Sequence, residues 1–343
     1  MTVSALRRTP TRLALIGAGA IAAAHAATIS ETDALMLTRV IDRHPERAQA
    51  LAATYDAEAS TDPGGLFADD IDAVVVCTSP DSHVDLGIAA LNAGKALLIE
   101  KPAALDMTSL EQLLKTAADT GLPLMVAQTA RFQPANLEVG RAVAAGQIGR
   151  PRLVHVSWYG GHVWPRAWRA WQLDESRCGG HLVHNGVHAL DLATWLLDDV
   201  PRRVFARPLR TWASAMPTPD SFHIIAEYRN GAQAVIEISY GLARGSSFRR
   251  VYVAGTGGSI AVATHDEVDT EAHPRVSMAG VGDPVPPALV GDSMRNQYRH
   301  FRDVVHGAVP STTTPDQIRG TLAAALAATR STRTGSIETA WSN

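Results

Sequence analysis

The segment RLALIGAGAIAAAHAA, residues 12–27, decides the fold of the first half of the chain. Its first five residues form an apolar run typical of a buried strand, and the alanine-rich end is typical of a helix. Between them, Gly17, Gly19 and Ala22 fit the pattern G-x-G-x-x-A. The first glycine of this pattern permits a tight turn, the second lets a pyrophosphate approach the backbone, and the small third residue allows close helix packing. The segment therefore predicts a strand, a phosphate-binding turn and the start of a helix.

A second strand candidate, LMLTRVID at 35–42, ends in Asp42, about 20 residues beyond Ala22. In dinucleotide-binding domains an acid at this spacing accepts hydrogen bonds from the adenosine ribose, and its charge repels the 2′-phosphate of NADP. Asp42 therefore favours NAD as the cofactor, with NADP less favoured. Arg43 keeps NADP open, because a guanidinium can accept that phosphate.

The N-terminus has a competing interpretation. Arg7 and Arg8, followed by an apolar and alanine-rich run, resemble a twin-arginine export signal with cleavage near Ala27. Cleavage there would remove the glycine turn. We therefore favour the strand, turn and helix, and expect residues 1–10 to be a short mobile lead-in.

Strand and helix candidates alternate as far as residue 128. Apolar runs at 71–78, 95–100 and 122–128 are typical of strands buried on both faces of a parallel sheet. Five to six strands joined by helices predict a doubly wound Rossmann domain over 11–128, with ligands at the carboxyl ends of the strands. The polar side chains at those ends are Thr78, Ser79, Glu100, Lys101 and Gln128.

The second half has a different periodicity. Stretches in which apolar and polar residues alternate predict antiparallel strands, and they lie at 153–159, 222–228, 232–240 and 249–255. We expect residues 129–343 to form an α+β domain with an open, mostly antiparallel sheet. Its terminal helices, within 293–330, are expected to pack back toward the first domain.

Composition excludes several functions. The 343 residues are 46% apolar and 19% charged with a formal net charge of −3, so no basic stripe indicates nucleic-acid binding, and no block of like charge indicates a membrane surface. The only cysteines, Cys77 and Cys178, are too few for a disulfide framework, which favours a reducing, cytoplasmic location.

Several ordered motifs resemble the glucose–fructose oxidoreductase/inositol dehydrogenase (Gfo/Idh/MocA) family. They run from residue 11 to about residue 339 and comprise GAGAIA at the first turn; Thr78, Pro80 and His83; AGK at 93–95; EKP at 100–102; RFQPANLEVGRAVAAGQIGRPRLV at 131–154; and the glycine-rich element at 179–191. The resemblance implies a nicotinamide-dependent oxidoreductase that acts on a CH–OH group of a sugar, cyclitol or related polyol. It also implies a homodimer or homotetramer that associates through the second-domain sheet.

The residues expected to contact the cofactor combine the glycine turn, the strand ends and the family motifs. They are Gly17, Gly19, Ala20, Ile21, Asp42, Arg43, Thr78, Ser79, Pro80, His83, Glu100, Lys101, Gln128, Trp171 and Gln172. Gln172 stands where the family often has a charged residue. Lys101 has the most specific role, because a compact ammonium can bind the nicotinamide ribose and polarise a substrate hydroxyl together.

The element GGHLVHNGVHALD, residues 179–191, carries the expected proton chemistry. By the resemblance, His188 matches the family's histidine and is the candidate general base, while His184 stands where an aspartate is common. Imidazole titrates near neutral pH and so suits a base that takes a proton from an alcohol. Lys101 would stabilise the developing alkoxide. His184 is predicted to be catalytic or substrate-binding as well, and its alternatives are the base itself or a core histidine.

Metal binding is the alternative interpretation of this element. His181, His184, His188 and Asp191 would share one face of a continuous helix, and three imidazoles with a carboxylate suit zinc. Asn185-Gly186 predicts the helix start, so His181 need not lie on that face. Since a nicotinamide and Lys101 together perform alcohol oxidation, we predict no metal.

Substrate contacts are expected from a tryptophan-rich stretch before residue 179. Aromatic faces pack on the C–H faces of sugar rings and arginines bind hydroxyls, which favours Trp164 and Arg166 beside Lys101, His184 and His188. Two other functions stay open at this point. One is a glycoside hydrolase or lyase that oxidises its sugar transiently with bound NAD, and the other is a non-catalytic sugar or NAD sensor.

Overall fold

The structure, a computed structural model, describes most of the chain. The described residues are 10–64, 68–160, 170–210, 218–242, 247–266, 275–279 and 293–341. The expected lead-in, apart from Pro10, lies outside the described residues, as do Trp164 and Arg166. The chain divides into a first compact unit of Met1–Ala103, Glu111–Ala127 and Met294–Thr312, and a second unit of Ala104–Leu110, Gln128–Ser293 and Thr313–Asn343.

The first unit is built on a six-stranded parallel sheet, as predicted. Its strands are β1 Thr11–Ile16, β2 Leu35–Ile41, β3 Glu58–Ser60, β4 Ala73–Val76, β5 Ala96–Ile99 and β6 Leu124–Val126. Their order is β3-β2-β1-β4-β5-β6, so the direction of winding reverses between β1 and β4. Every residue of β4 and β5 is buried, which explains their unbroken apolar sequences. The crevice at the reversal is where such sheets bind ligands.

Helices connect these strands. They are α1 Ala20–Ser30, α2 Pro45–Thr54, α3 His83–Asn92 and α4 Met107–Thr120. A short 3-10 turn, Pro80–Ser82, precedes α3. The sequence analysis did not predict α2 or the three-residue β3.

The second unit contains an eight-stranded sheet in the order β13-β12-β11-β7-β10-β9-β8-β14. Its strands are β7 Pro151–Gly160, β8 Pro201–Leu209, β9 Ser221–Tyr228, β10 Gln233–Ser239, β11 Ser247–Gly255, β12 Ser259–Asp266, β13 Arg275–Ala279 and β14 Glu338–Thr339. Neighbours are antiparallel except β7 and β10, which run parallel. The predicted α+β domain with a mostly antiparallel sheet is confirmed. The expected self-association through this sheet stays a prediction.

Helices of the second unit begin with α5 Pro134–Ala144, α6 Ala170–Leu173 and α7 Glu175–Cys178. A π-helical turn, Leu182–Gly186, leads directly into α8 Val187–Leu197, which packs on β7. Helical backbone begins at His181, so the prediction of a helix start at Asn185-Gly186 was wrong. The break lies earlier, because Gly179 and Gly180 have φ angles of +76° and +84°.

The last elements divide between the units. Helix α9, Ser293–Val305, groups with the first unit, whereas α10, Pro315–Thr334, groups with the second and packs on β8. Strand β14 then pairs with β8 at the sheet edge. None of the helices in the described ranges combines the length and apolar character needed to cross a membrane.

Candidate active site

In the glycine turn after β1, the first glycine packs closely against neighbouring backbone, whereas the second faces open space. Gly17 has a φ of +101°, and a Cβ added there would lie 2.8 Å from the carbonyl oxygen of Cys77. Its N–H donates to the carbonyl of Ile41 at 2.7 Å. Gly19 has an extended backbone with a φ of −85°, and a Cβ added there would meet no atom within 4 Å. A ligand can therefore approach the backbone at Gly19.

The start of α1 suits a pyrophosphate. No side chain caps this helix end, so its first N–H groups have no partner from a capping residue. Ala20 and Ile21 are exposed there, whereas Ala22 is fully buried against the sheet. Free N–H groups and the positive end of the helix dipole bind phosphate oxygens. The turn therefore fits the phosphates of a dinucleotide.

Asp42 supports this turn directly. Its Oδ2 accepts a hydrogen bond from the N–H of Ala18 at 2.7 Å, and its Oδ1 accepts one from the N–H of His44 at 2.8 Å. Arg43 beside it is exposed. The sequence analysis predicted Asp42 as a ribose acceptor and missed its contact with the glycine turn.

Alanine substitutions should separate the roles of the two glycines. We expect Gly17→Ala to destabilise the first unit by about 1–3 kcal/mol, because the new side chain meets backbone at a strained φ. Gly19→Ala should leave the melting temperature unchanged but raise the Kd for NAD by about tenfold or more, since the methyl group occupies the path of the phosphates. Thermal unfolding and fluorescence titration with NAD measure both. Equal effects of the two variants on stability would contradict this assignment.

The segment after β4 is held by a buried histidine. His83, only 1% exposed, places Nδ1 2.8 Å from the carbonyl oxygen of Pro102 and Nε2 3.1 Å from that of Thr78. Burial lowers the pKa of His83, and the two carbonyl contacts oppose that shift. His83 thus ties the loop after β4 to the loop after β5. Its predicted contact with the cofactor stays a prediction, as do those of Ser79 and Pro80.

Lys101 follows β5 and precedes a cis peptide bond to Pro102. Desolvation lowers the pKa of Lys101, and the carboxylate of Glu100 opposes this by raising it. Glu100 is 7% exposed, and its Oε2 accepts a hydrogen bond from the N–H of Lys101 at 3.0 Å. The lysine is therefore a partly desolvated cation with an anionic neighbour.

Glu100 has a second partner that the sequence analysis missed. Its Oε1 lies 3.0 Å from Nε2 of His25, a fully buried residue of α1. Nδ1 of the same ring lies 2.7 Å from the hydroxyl of Tyr298 in α9. The only sequence signal was a histidine within an alanine-rich helix. Its partner Tyr298 is distant in sequence and could not be inferred.

The three histidines of the glycine-rich element have different surroundings. His181 stacks on Phe222 with ring centroids 5.6 Å apart and meets the edge of Tyr240 at 4.6 Å. His188 stacks on Trp158, with centroids 5.3 Å apart and planes 17° apart. The rings of His181 and His188 therefore pack against different aromatic neighbours.

His184 lies beside Trp171 and Gln172, two residues that the sequence analysis expected to contact the cofactor. Its ring meets Trp171 edge-on at 5.1 Å, and the amide Nε2 of Gln172 donates to His184 Nε2 at 3.3 Å. The structure thus brings these three predicted site residues together within the second unit. Among the described residues, no group of three or more His, Cys, Asp or Glu side chains is placed to hold a metal ion.

Asp191 has a structural partner. Its carboxylate forms a two-pronged ion pair with Arg131, at 2.6 Å to Nε and 2.7 Å to Nη2, and both residues are at most 2% exposed. Arg131 also donates to Gln317 Oε1 at 2.8 Å. The pair anchors α8 one turn beyond His188.

Gln128 offers a buried acceptor near the end of β6. The residue is 4% exposed, and its Oε1 has no hydrogen-bond partner within the described part of the chain. A buried acceptor of this kind is costly unless something donates to it. The predicted role of Gln128 in cofactor binding stays a prediction.

Two family descriptions match successive parts of the chain. Residues 11–128 match the family described as "Oxidoreductase family, NAD-binding Rossmann fold", and residues 136–261 match the "GFO/IDH/MocA C-terminal domain". The first match makes the protein an oxidoreductase with an NAD-binding Rossmann domain. Both matches together show that the chain belongs to the Gfo/Idh/MocA family.

Individual relatives are consistent with this membership. An inositol 2-dehydrogenase of Rhizobium meliloti (strain 1021) is 33% identical over 264 residues, which cover 76% of this chain and 78% of that protein. A crystal structure from Sinorhizobium meliloti 1021, provisionally named a myo-inositol dehydrogenase, has a TM-score of 0.79 at 28% identity and covers 96% of this chain and 100% of its own. GenD2 from gentamicin A biosynthesis, solved in complex with NAD, has a TM-score of 0.82 at 23% identity over 99% of each chain and shows a shared fold.

Proposed function

We propose that this protein is an NAD-dependent dehydrogenase that oxidises a ring hydroxyl of a cyclitol or sugar, or reduces the corresponding ketone. The observation that carries the proposal is Lys101, a partly desolvated ammonium at the carboxyl edge of the sheet. It lies in the same unit as a glycine turn that is open to phosphate. The name of the inositol 2-dehydrogenase relative supports a cyclitol or sugar as the substrate class.

The cofactor would be held by the residues described above. The turn from Gly17 to Ile21 binds the pyrophosphate, and Asp42 accepts from the adenosine ribose. Gln128 Oε1 accepts from the carboxamide. When bound, NAD supplies the hydride acceptor.

The side chains of this protein handle the hydroxyl proton. The ammonium of Lys101 donates to the reacting oxygen and stabilises the negative charge that develops there. His188 accepts the proton, and its stacking on Trp158 fixes the plane of the imidazole. His184 would orient a neighbouring hydroxyl, and its contact with the amide of Gln172 supports this role.

Asp42 should set the choice between NAD and NADP. In Asp42→Asn the amide oxygen can still accept one of the two backbone N–H groups, but the negative charge is lost. Repulsion of the 2′-phosphate then disappears, and exposed Arg43 can bind it. We expect the ratio of kcat/KM for NADP over NAD to rise by about tenfold, or about 1.4 kcal/mol. An unchanged ratio with a folded variant would refute this role of Asp42.

A substrate panel tests the proposed function. The purified protein is incubated with cyclitols and aldoses, each with NAD or NADP, and formation of the reduced nicotinamide is followed by absorbance. We expect NADH to accumulate with at least one cyclitol or sugar. Release of an aglycone from a glycoside without net NADH formation would instead indicate a hydrolase or lyase that oxidises its substrate transiently.

A further inference from the structure

Two buried titratable side chains of the first unit have no role in the scheme above. His25 lies in α1, the helix that begins at the glycine turn, and Tyr298 lies in α9. Both are 0% exposed. Their rings meet edge to face with centroids 5.6 Å apart, and the tyrosine hydroxyl contacts His25 Nδ1 at 2.7 Å. Buried polar groups of this kind are normally part of a hydrogen-bonded network.

The donors and acceptors of this network define its direction. The N–H of Lys101 must donate, so Glu100 Oε2 accepts, as an ionised carboxylate does. Oε1 of the same carboxylate then accepts from Nε2–H of His25 at 3.0 Å. In the neutral ring with its proton on Nε2, Nδ1 accepts from the hydroxyl of Tyr298. The result is a continuous chain from Tyr298 through His25 and Glu100 to the backbone of Lys101.

We propose that Tyr298, His25 and Glu100 are positioning residues that hold Lys101 in place for catalysis. The inference rests on the proposed function, because it assigns to the chain the task of orienting the lysine that polarises the hydroxyl. His25 fixes one oxygen of the Glu100 carboxylate, which leaves the other oxygen directed at the Lys101 N–H. Tyr298 fixes the orientation of the imidazole.

The energetics explain why such a chain is needed. Glu100 is almost fully buried, and a buried carboxylate stays ionised only while donors and a nearby cation compensate for its lost hydration. Without His25, Oε1 of Glu100 would lose its donor and the carboxylate would be free to rotate. Rotation would move Oε2 away from the Lys101 N–H and shift the negative charge beside the ammonium.

Substitutions at His25 test whether activity depends on the hydrogen bond that His25 donates to Glu100. His25→Leu removes it, whereas His25→Gln keeps an N–H donor at the position of Nε2. We expect kcat to fall by about tenfold or more in His25→Leu, with the loss largely recovered in His25→Gln and with little change in the KM for NAD. Equal kcat values in the two variants would overturn the proposal.

Tyr298→Phe gives a milder test with a matched control. Tyr228 is also buried, and its hydroxyl lies 3.2 Å from Thr194 Oγ1 in the second unit, so Tyr228→Phe makes the same chemical change elsewhere. Hydrogen–deuterium exchange of the peptide that contains Lys101, measured on the protein without NAD, is the readout. We expect faster exchange in Tyr298→Phe and no change in Tyr228→Phe. The same exchange in both would overturn the proposal, even if His25→Leu does not fold.

The kinetic assay also includes Lys101→Met, which distinguishes a failure of the proposed function from a failure of the positioning chain. A fully active Lys101→Met would contradict the proposed function itself. An inactive Lys101→Met together with a fully active, folded His25→Leu would leave that function standing and overturn the positioning chain.

Discussion

Lys101→Met should lose about 10²–10⁴-fold in kcat while the protein stays folded. The substitution keeps the length and apolar stem of the side chain but removes its positive charge. An alkoxide that develops on the substrate then has no ammonium to stabilise it, so the loss should be larger in kcat than in the affinity for NAD. Stopped assays of reduced nicotinamide, with circular dichroism as a check on folding, measure the effect. A kcat within about threefold of the unmodified protein, or less than about 1 kcal/mol of barrier, would contradict the role of Lys101.

The pH dependence of activity provides an independent test of the same residue. Desolvation lowers the pKa of Lys101 and Glu100 raises it, with desolvation the larger effect. The ammonium is therefore lost at a lower pH than that of an ordinary lysine, and activity should fall as the pH rises through this lowered pKa. Lys101→Arg stays charged over this range, so its residual activity should show no such decline. A decline that persists unchanged in Lys101→Arg would assign it to another group.

Asp191→Ala should lower the free energy of unfolding of the second unit by about 3–5 kcal/mol. The substitution leaves the guanidinium of Arg131 buried without its carboxylate, and burying an unpaired charge is strongly unfavourable. Arg131 also packs over the ring of Trp195, with its Cζ 5.7 Å from the ring centroid. Urea unfolding followed by tryptophan fluorescence therefore reports on the region that changes.

An exposed ion pair of the same sheet domain provides the control. Arg203 and Glu227 lie 2.6 Å apart and are 51% and 40% exposed, so Glu227→Ala should cost less than about 1 kcal/mol. Replacing both partners of the buried pair, as Arg131→Met with Asp191→Leu, should recover much of the loss because no unpaired charge remains. Equal costs for Asp191→Ala and Glu227→Ala would show that burial of the pair contributes nothing.

Much of the Rossmann domain was predictable because its core strands are short apolar runs. Strands β4 and β5 are buried on both faces, so nearly every residue signals the same environment. The edge strand β3 carries only Glu-Ala-Ser, and β8 contains two prolines and several exposed residues, so neither shows a clear period. Their formation depends on pairing with neighbours that are distant in sequence.

In the candidate site, too, local sequence patterns could be recognised whereas contacts between distant residues could not. The glycine turn, Asp42, the Glu100-Lys101-Pro102 motif and His188 could be named as candidates from the sequence, because each lies in a local pattern with a physical meaning, and their roles stay predictions. The partners that hold them were not. Tyr298 reaches His25, and Gln317 reaches Arg131, only through the folded chain. The π-helical turn before α8 was also missed, because Gly186 resembled a helix break but has an ordinary helical φ of −64°.

The most direct test of the central claim follows the hydrogen that leaves the substrate. A cyclitol or sugar deuterated at its ring carbons is oxidised with NAD, and the reduced cofactor is analysed by mass spectrometry and NMR. We predict that one deuterium per turnover appears at C4 of the nicotinamide, and that Lys101→Met slows this transfer. Turnover that releases the deuterium into water, with no deuterated NADH at any stage of the reaction, would contradict hydride transfer from a ring CH–OH group and with it the proposed function.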